Sequence, residues 1–217
     1  IMGAALGRAL ALGAGGSLPQ AAAAIAILPS LAALDRNGPT ATIHEVRSSI
    51  EVEAPAERVW RHVIAFPPLP QPTEWIFRLG VAYPRSARIE GTGVGATRYC
   101  VFSTGPFVEP ITAWEPGRRL AFDVSRSPAP LQELSPYPAV TPPHLDGYLR
   151  ARRGEFRLVS LPGGRTRLEG STWYEVRMQP EGYWQLFSDP LIARIHRRVL
   201  EHVRRQAERT DSVEADE

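Results

Sequence analysis

The pattern of apolar and polar residues changes its period within residues 48–64, SSIEVEAPAERVWRHVI. Ile50 and Val52 alternate with polar residues, which is typical of a strand with one buried face. Beyond Pro55, which the first turn of a helix tolerates, apolar residues recur at helical spacing. These residues are Val59, Trp60, Val63 and Ile64. The block therefore predicts a strand that leads directly into an amphipathic helix.

The pattern that follows predicts a short helix at residues 73–80 and then a series of strands. The predicted strands occupy residues 85–90, 96–104, 107–114, 119–125, 154–161 and 166–178. The last two form a hairpin, and a proline-rich irregular segment at 127–146 precedes them. Successive strands joined by short turns favour an antiparallel meander.

A long helix is predicted at the end of the domain, from Asp189 to about Glu208. Asp189 is expected to cap this helix, and Pro190 suits its first turn. Its apolar positions form one stripe, which needs a partner surface that the meander offers. The stripe consists of Ile192, Ile195, His196, Val199 and Val203. Most of the arginines of this helix lie outside the stripe and are expected to face solvent.

Block 48–64 and this order of elements resemble the START-like or SRPBCC superfamily, which includes polyketide cyclases, Bet v 1-like allergens and lipid-transfer domains. The resemblance covers about residues 42–208. It implies an α+β helix-grip fold, in which an antiparallel sheet wraps around a long C-terminal helix. A ligand cavity is expected between the sheet and that helix.

Four other stretches are similar to one bacterial branch, described as polyketide cyclase/dehydrase-like or lipid-transport-like. They are RYCVFSTGPFVEP at 98–110, SPY at 135–137, PPH at 142–144 and YW at 183–184. That branch implies a bacterial protein and binding of, or chemistry on, an apolar small molecule such as a lipid or a polyketide-like compound. Some of its members carry hydrophobic N-terminal segments.

The ends of the chain differ from the middle, which predicts an extension at 1–41, a domain at 42–208 and an acidic tail at 209–217. Residues 9–34 carry no charge over 26 positions, a length that can span a bilayer, although glycines and prolines interrupt it. Residues 1–35 therefore have three interpretations: a membrane-proximal anchor, a signal or processing segment, or helices packed on the domain. The protein is accordingly expected at a membrane or in the cytoplasm.

Composition narrows the chemistry that is available. All 25 basic residues are arginines, which excludes a lysine Schiff base and a lysine general base. Cys100 is the single cysteine, so it forms no internal disulfide, and we expect it to pack in the core. The net charge of +2 argues against a nucleic-acid partner. The histidines match no metal-binding motif, and we predict neither a metal nor a cofactor.

Four residues are candidates for chemistry. Arg98 and Glu109 are predicted to form a buried ion pair on neighbouring strands, where they would orient a ligand carbonyl or carboxylate; the alternative is a salt bridge at the rim or outside. His196, on the apolar stripe, is a candidate base or hydrogen-bond donor, and the alternative is a core histidine bonded to a neighbour. His144 is the fourth candidate, and with Tyr137 it is expected to line or cover the cavity mouth.

Aromatic residues are the candidates for contact with the ligand, and packing is the alternative role of each. The predicted set is Tyr137, Phe102, Phe107, Trp173, Tyr183 and Trp184. Their rings provide apolar surface that can stack on a ligand ring.

Three functions remain open from the sequence. The first is binding or transfer of an apolar ligand, which a large and mostly apolar cavity without converging ionisable side chains favours. The second is a cofactor-independent cyclase, dehydratase or isomerase, which converging ionisable side chains favour. The third is an interaction module held at a membrane by residues 1–35, which a cavity filled by its own side chains and an exposed apolar patch favour.

Overall fold

The computed structural model describes residues 42–132, 149–178 and 180–209. Seven antiparallel strands form a sheet in the order β1-β7-β6-β5-β4-β3-β2. The strands are β1 (Ile43–Val52), β2 (Pro84–Glu90), β3 (Thr97–Phe102), β4 (Gly105–Glu115), β5 (Arg119–Asp123), β6 (Leu149–Leu161) and β7 (Arg165–Val176). The helices are α1 (Ala56–Ile64), α2 (Trp75–Arg78) and α3 (Glu181–Arg209).

The sheet curls around α3, because this one helix contacts both β1 and β2, the two edge strands. Irregular pairing in β2, β4 and β6 is consistent with the curl, since a bulge bends its strand and increases the local twist. The α+β helix-grip fold predicted from the sequence is therefore confirmed.

The hairpin between β6 and β7 turns on two glycines. Gly163 and Gly164 have φ angles of 80° and 74°, and residues that carry a Cβ rarely adopt such positive φ angles. Leu161 and Arg165 form the last pair of the ladder before this turn. The hairpin predicted from residues 154–178 is thus present.

The main core lies between the inner face of the sheet and the two longer helices. Val52 of β1, Val59 of α1, Leu168 of β7 and Val203 of α3 are all completely buried within it. The alternation in β1 and the helical stripes read from the sequence therefore point toward the core as predicted.

The terminal helix begins at Glu181, eight residues before the start predicted at Asp189, and Pro190 lies inside it. Asp189 therefore lies inside the helix and does not cap its start, and its carboxylate accepts a hydrogen bond from the Tyr174 hydroxyl. At the start of the helix, Glu181 lies 2.6 Å from Nε2 of His44 on β1. These contacts with β1 and β7 hold the segment from Glu181 to Asp189 against the sheet, which the local sequence did not indicate.

Several predictions made from the sequence lie outside the described residues. They concern the extension at 1–41, most of the irregular segment (residues 133–146) and residues 210–217 of the tail. Among the residues that are described, no helix has the length and apolar content needed to cross a bilayer. The interpretations of residues 1–35 stay predictions.

Candidate functional site

A cavity lies between the inner face of the sheet and α3. Its volume is about 170 Å³. An apolar cavity of about 150 Å³ can bind benzene, so this cavity has room for a small organic molecule. Most of the side chains that line the cavity are apolar. Five of the predicted site residues also line it: Arg98, Phe102, Phe107, Glu109 and His196.

Arg98 and Glu109 form the most deeply buried ion pair of the described residues. They are directly opposite each other on β3 and β4, and they are 1% and 5% exposed. Nη1 of Arg98 donates to the Glu109 carboxylate, and Nε donates to the carbonyl oxygen of Ile64 at 3.2 Å. Of the two arrangements open from the sequence, the structure has the buried one.

Aromatic rings surround the guanidinium of Arg98. Its Cζ lies 5.7 Å from the ring centre of Phe66 and 5.5 Å from those of Phe122 and Phe156. Within about 6 Å, the negative face of an aromatic ring attracts a cation. The rings therefore stabilise the positive charge, although they supply no hydrogen-bond acceptor of the strength of an oxygen atom.

Burial changes the acidity of the groups beside this ion pair. Desolvation raises the pKa of Glu109 above its ordinary value, and the charge of Arg98 partly opposes that rise. Desolvation, and then the charge of Glu109, raise the pKa of the Cys100 thiol to about 12. Cys100 is therefore a protonated thiol at neutral pH and has no nucleophilic thiolate form there.

His196 lies in the cavity wall and contacts two hydroxyl groups. Its Nε2 is 2.7 Å from Oγ1 of Thr172, and its Nδ1 is 3.3 Å from Oγ of Ser48. Burial lowers the pKa of His196 to about 4. The ring is therefore neutral at pH 7, with one nitrogen donating and the other accepting.

The remaining predicted site residues do not line the cavity or are not described. Trp173 packs under the guanidinium of Arg153, at 3.9 Å from its ring centre, while Thr172 and Tyr174 beside it line the cavity. Tyr183 is 47% exposed, and Trp184 contacts a second small core cluster. Tyr137 and His144 lie outside the described residues, so their predicted place at the mouth stays a prediction.

The family model for polyketide cyclase/dehydrase and lipid transport matches residues 44–208, which is well over half of the chain. The chain belongs to this family. No match was found among curated proteins.

Solved structures with this polyketide cyclase/dehydrase and lipid transport fold include two enzymes at low sequence identity. The Zhui aromatase/cyclase from Streptomyces sp. R1128 is 14% identical with a TM-score of 0.50, and the match covers 77% of this chain and 95% of that one. A norcoclaurine synthase from Thalictrum flavum is also 14% identical with a TM-score of 0.50, and the match covers 80% of this chain and 99% of the synthase chain. Likenesses at this identity show the fold alone.

Sequence reasoning missed several residues of the site in this family member. Thr172 and Ser48 were missed because small hydroxyl residues on a strand give no signal until the strand register places them beside His196. Phe122 and Phe156 were missed as neighbours of Arg98, because they come from β5 and β6, which the sequence does not place beside Arg98. In the described ranges, no three His, Cys, Asp or Glu side chains lie close enough together to bind a metal ion.

Gly154 of β6 is directly opposite Phe122 of β5, and its missing side chain leaves space for that ring. A Cβ at Gly154 would lie 2.4 Å from a carbon atom of the Phe122 ring. We therefore expect Gly154→Ala to lower the free energy of unfolding by about 1–3 kcal/mol, because the ring has to move. Urea denaturation of the wild type and of Gly154→Ala measures the difference in the free energy of unfolding.

The matched control is Gly170→Ala on β7, where the nearest atom to a new Cβ is 3.6 Å away. That contact is ordinary, and we expect the control to be neutral or slightly stabilising, since alanine restricts the unfolded chain. Equal losses of stability in both variants would show that the close approach of Phe122 to Gly154 is unimportant.

Proposed function

We propose that this protein binds an apolar small molecule, such as a lipid or a polyketide-like compound, in the cavity between the sheet and α3, for storage or transfer. The observation that carries the proposal is the cavity itself, which is lined mostly by apolar side chains. Sites of this kind bind ligands through buried apolar contact, and a few polar groups set the orientation. Membership of a family whose description includes lipid transport supports the same function.

The cavity also argues against a purely structural role for the space inside the sheet. A core that served only packing would be filled to the density of other protein interiors, which leave few voids larger than a water molecule. The interior of this sheet instead holds a void of about 170 Å³. The void therefore favours a small-molecule function over the interaction module considered from the sequence.

A cofactor-independent cyclase, dehydratase or isomerase is the second candidate function. The observation that favours it is that Arg98, Glu109 and His196 all line the same cavity. A carboxyl group with a raised pKa is suited to exchange a proton with a bound ligand, and an arginine can polarise a ligand oxygen. Both functions require binding first, so the binding experiment tests the step that they share.

The binding experiment fills the cavity by mutation. Val199 is a buried residue of α3 that lines the cavity, and Val199→Phe places a ring in the ligand space. We expect the neutral fluorescent probe N-phenyl-1-naphthylamine to bind the wild type, and to bind Val199→Phe at least about tenfold more weakly, a loss of roughly 1.4 kcal/mol. Native mass spectrometry of the purified protein identifies any lipid that co-purifies.

The same substitution at an exposed position is the control. Val159 is 37% exposed on β6 and does not line the cavity, so Val159→Phe should leave the affinity for the probe unchanged. If the wild type binds neither the probe nor any co-purifying apolar compound, the proposed function is wrong. Equal affinity in both variants would place the probe somewhere other than this cavity.

A further inference from the structure

The face of α3 that points away from the sheet is apolar in its first two turns. Tyr183, Leu186 and Phe187 lie on it, and they are 47%, 74% and 52% exposed. The rings of Tyr183 and Phe187 contact each other, with their centres 5.1 Å apart. The exposed face of a helix in a globular domain normally carries polar and charged side chains. These three residues, the apolar patch, are therefore a surface that the described part of the protein leaves uncovered.

Two arginines continue the same face toward the middle of the helix. Arg194 and Arg197 follow Tyr183 by about three and four helical turns, and both are exposed. Between residues 182 and 200 the only acidic residue is Asp189, and its carboxylate is bonded to the hydroxyl of a tyrosine on β7. The apolar patch is thus followed by positive charge on the outer face of the helix, without an exposed acidic side chain in that range.

The apolar patch adjoins the cavity. Leu191, one turn after Phe187, lines the cavity and is only partly buried. Ile192 and Ile195 of the same helix line it as well. The same helix therefore forms part of the cavity wall and part of the exposed surface, and a structure that binds the apolar patch lies beside the ligand space.

The chemistry of this face favours a lipid surface over a second copy of the chain. Tyrosine is enriched at membrane interfaces because its ring is apolar and its hydroxyl is polar, and arginines attract anionic lipid headgroups. Arg194 lies about 10 Å along the helix axis from Phe187, so a tilted helix can immerse its first turns while its arginines stay among the headgroups. Two copies that met through this face would instead bring like charges together.

We propose that the outer face of α3 docks on the surface of a bilayer that contains anionic phospholipids. The apolar patch enters the interface, and Arg194 and Arg197 contact the lipid phosphates. The proposal goes beyond the proposed function, because docking does not require a ligand in the cavity. It concerns side chains of the domain itself and does not depend on the interpretation of residues 1–35.

A fluorescent label on the apolar patch tests the docking in the full chain. Leu186→Cys carries a nitrobenzoxadiazole group, whose emission rises and shifts to the blue when it leaves water. Cys100 is buried and its pKa is raised to about 12, so the label reacts at the introduced cysteine. We expect the blue shift with vesicles of phosphatidylcholine and phosphatidylglycerol, and a much weaker response to phosphatidylcholine alone. The control is Val94→Cys in the turn between β2 and β3, which is 68% exposed and should give no response.

Two double variants of the labelled protein separate the charged from the apolar contribution. Arg194→Gln/Arg197→Gln should bind the anionic vesicles roughly 30-fold more weakly, at about fivefold for each arginine near the surface. Tyr183→Ser/Phe187→Ser should bind them at least about tenfold more weakly, because less apolar area enters the interface. None of these four residues lines the cavity, so both variants should keep the affinity for N-phenyl-1-naphthylamine.

The control for charge is Arg157→Gln/Arg167→Gln, which removes two exposed arginines from β6 and β7 and should leave vesicle binding unchanged. If this control weakens binding as much as Arg194→Gln/Arg197→Gln, or if the label does not respond to anionic vesicles, the docking proposal is overturned. Blue emission before vesicles are added would overturn it too, because protein would then cover the apolar patch.

Docking and ligand binding can fail separately. Val199→Phe fills the cavity and leaves the outer face of α3 intact, so it should bind vesicles like the wild type. If the wild type docks but binds neither N-phenyl-1-naphthylamine nor a co-purifying apolar compound, the proposed function is wrong and the docking surface stands. If it binds that probe without docking, the reverse holds.

Discussion

Replacement of Arg98 by methionine is expected to lower the free energy of unfolding by about 3–5 kcal/mol at pH 7. The reason is that Glu109, which is 5% exposed, would then hold a buried charge without a partner. Burial already raises the pKa of Glu109, and loss of the Arg98 charge would raise it further. The destabilisation should therefore grow as the pH rises and Glu109 ionises without a partner, and it should shrink as the pH falls and protonation removes the unpaired charge. Urea denaturation at several pH values measures it.

The double variant Arg98→Met/Glu109→Leu should be much closer in stability to the wild type than either single variant. No charge is left unpaired in it, and two apolar side chains fill the space of the ion pair. An exposed ion pair provides the comparison: Arg165 and Glu51 are 39% and 51% exposed, and replacing both should cost about 1 kcal/mol or less. If the losses of the two single variants simply added in the double variant, the two residues would not be coupled.

Acidification is expected to destabilise the fold through His196. Burial lowers the pKa of His196 from 6.5 to about 4, so the folded protein favours the neutral ring. The stabilisation is complete above about pH 6.5 and is lost as the pH falls toward 4. At about 1.4 kcal/mol per pKa unit, the loss is at most about 3 kcal/mol. The free energy of unfolding measured at several pH values between 7 and 4 provides the test.

His196→Gln is the control, because glutamine does not titrate and its amide can bond to the Thr172 hydroxyl that lies 2.7 Å from Nε2 of His196. Other groups titrate equally in both proteins, so their contributions cancel in the difference. The wild type should lose stability more steeply than the variant between pH 6.5 and 4. Parallel curves would show that His196 is accessible to water and binds a proton in the folded state.

The ion pair of Arg98 and Glu109 could be predicted from the sequence because it depends on two local features of the chain. Alternation on each strand assigns a side chain to a face, and the short link at residues 103–104 places β3 and β4 next to each other. The register that follows pairs Arg98 with Glu109 and Phe102 with Gly105. The depth of burial was not local, because it depends on the α1 carbonyl of Ile64 and on rings from β5 and β6.

The start of α3 shows why a strong local signal can mislead. Asp189 followed by Pro190 is a good capping sequence, and a proline inside a helix removes one backbone hydrogen bond. The helix nevertheless continues back to Glu181, because His44 contacts Glu181 and Tyr174 donates to Asp189. Contacts across the fold outweigh the local preference, and they are invisible in the sequence of the helix itself.

Periodicity in the sequence alone determined the succession of strands and helices, and with it the antiparallel sheet and the apolar stripe of the last helix. Side chains on the buried face recur at a fixed spacing along the chain, which differs between a helix and a strand. The order of apolar and polar residues is therefore sufficient to predict the type of each element and its buried face. Only the tertiary structure decided that Trp173 packs outside, that Thr172 and Ser48 hold His196, and that Nη2 of Arg98 is left without an acceptor. Those features depend on residues far apart in the chain, which only the curl of the sheet around α3 brings together.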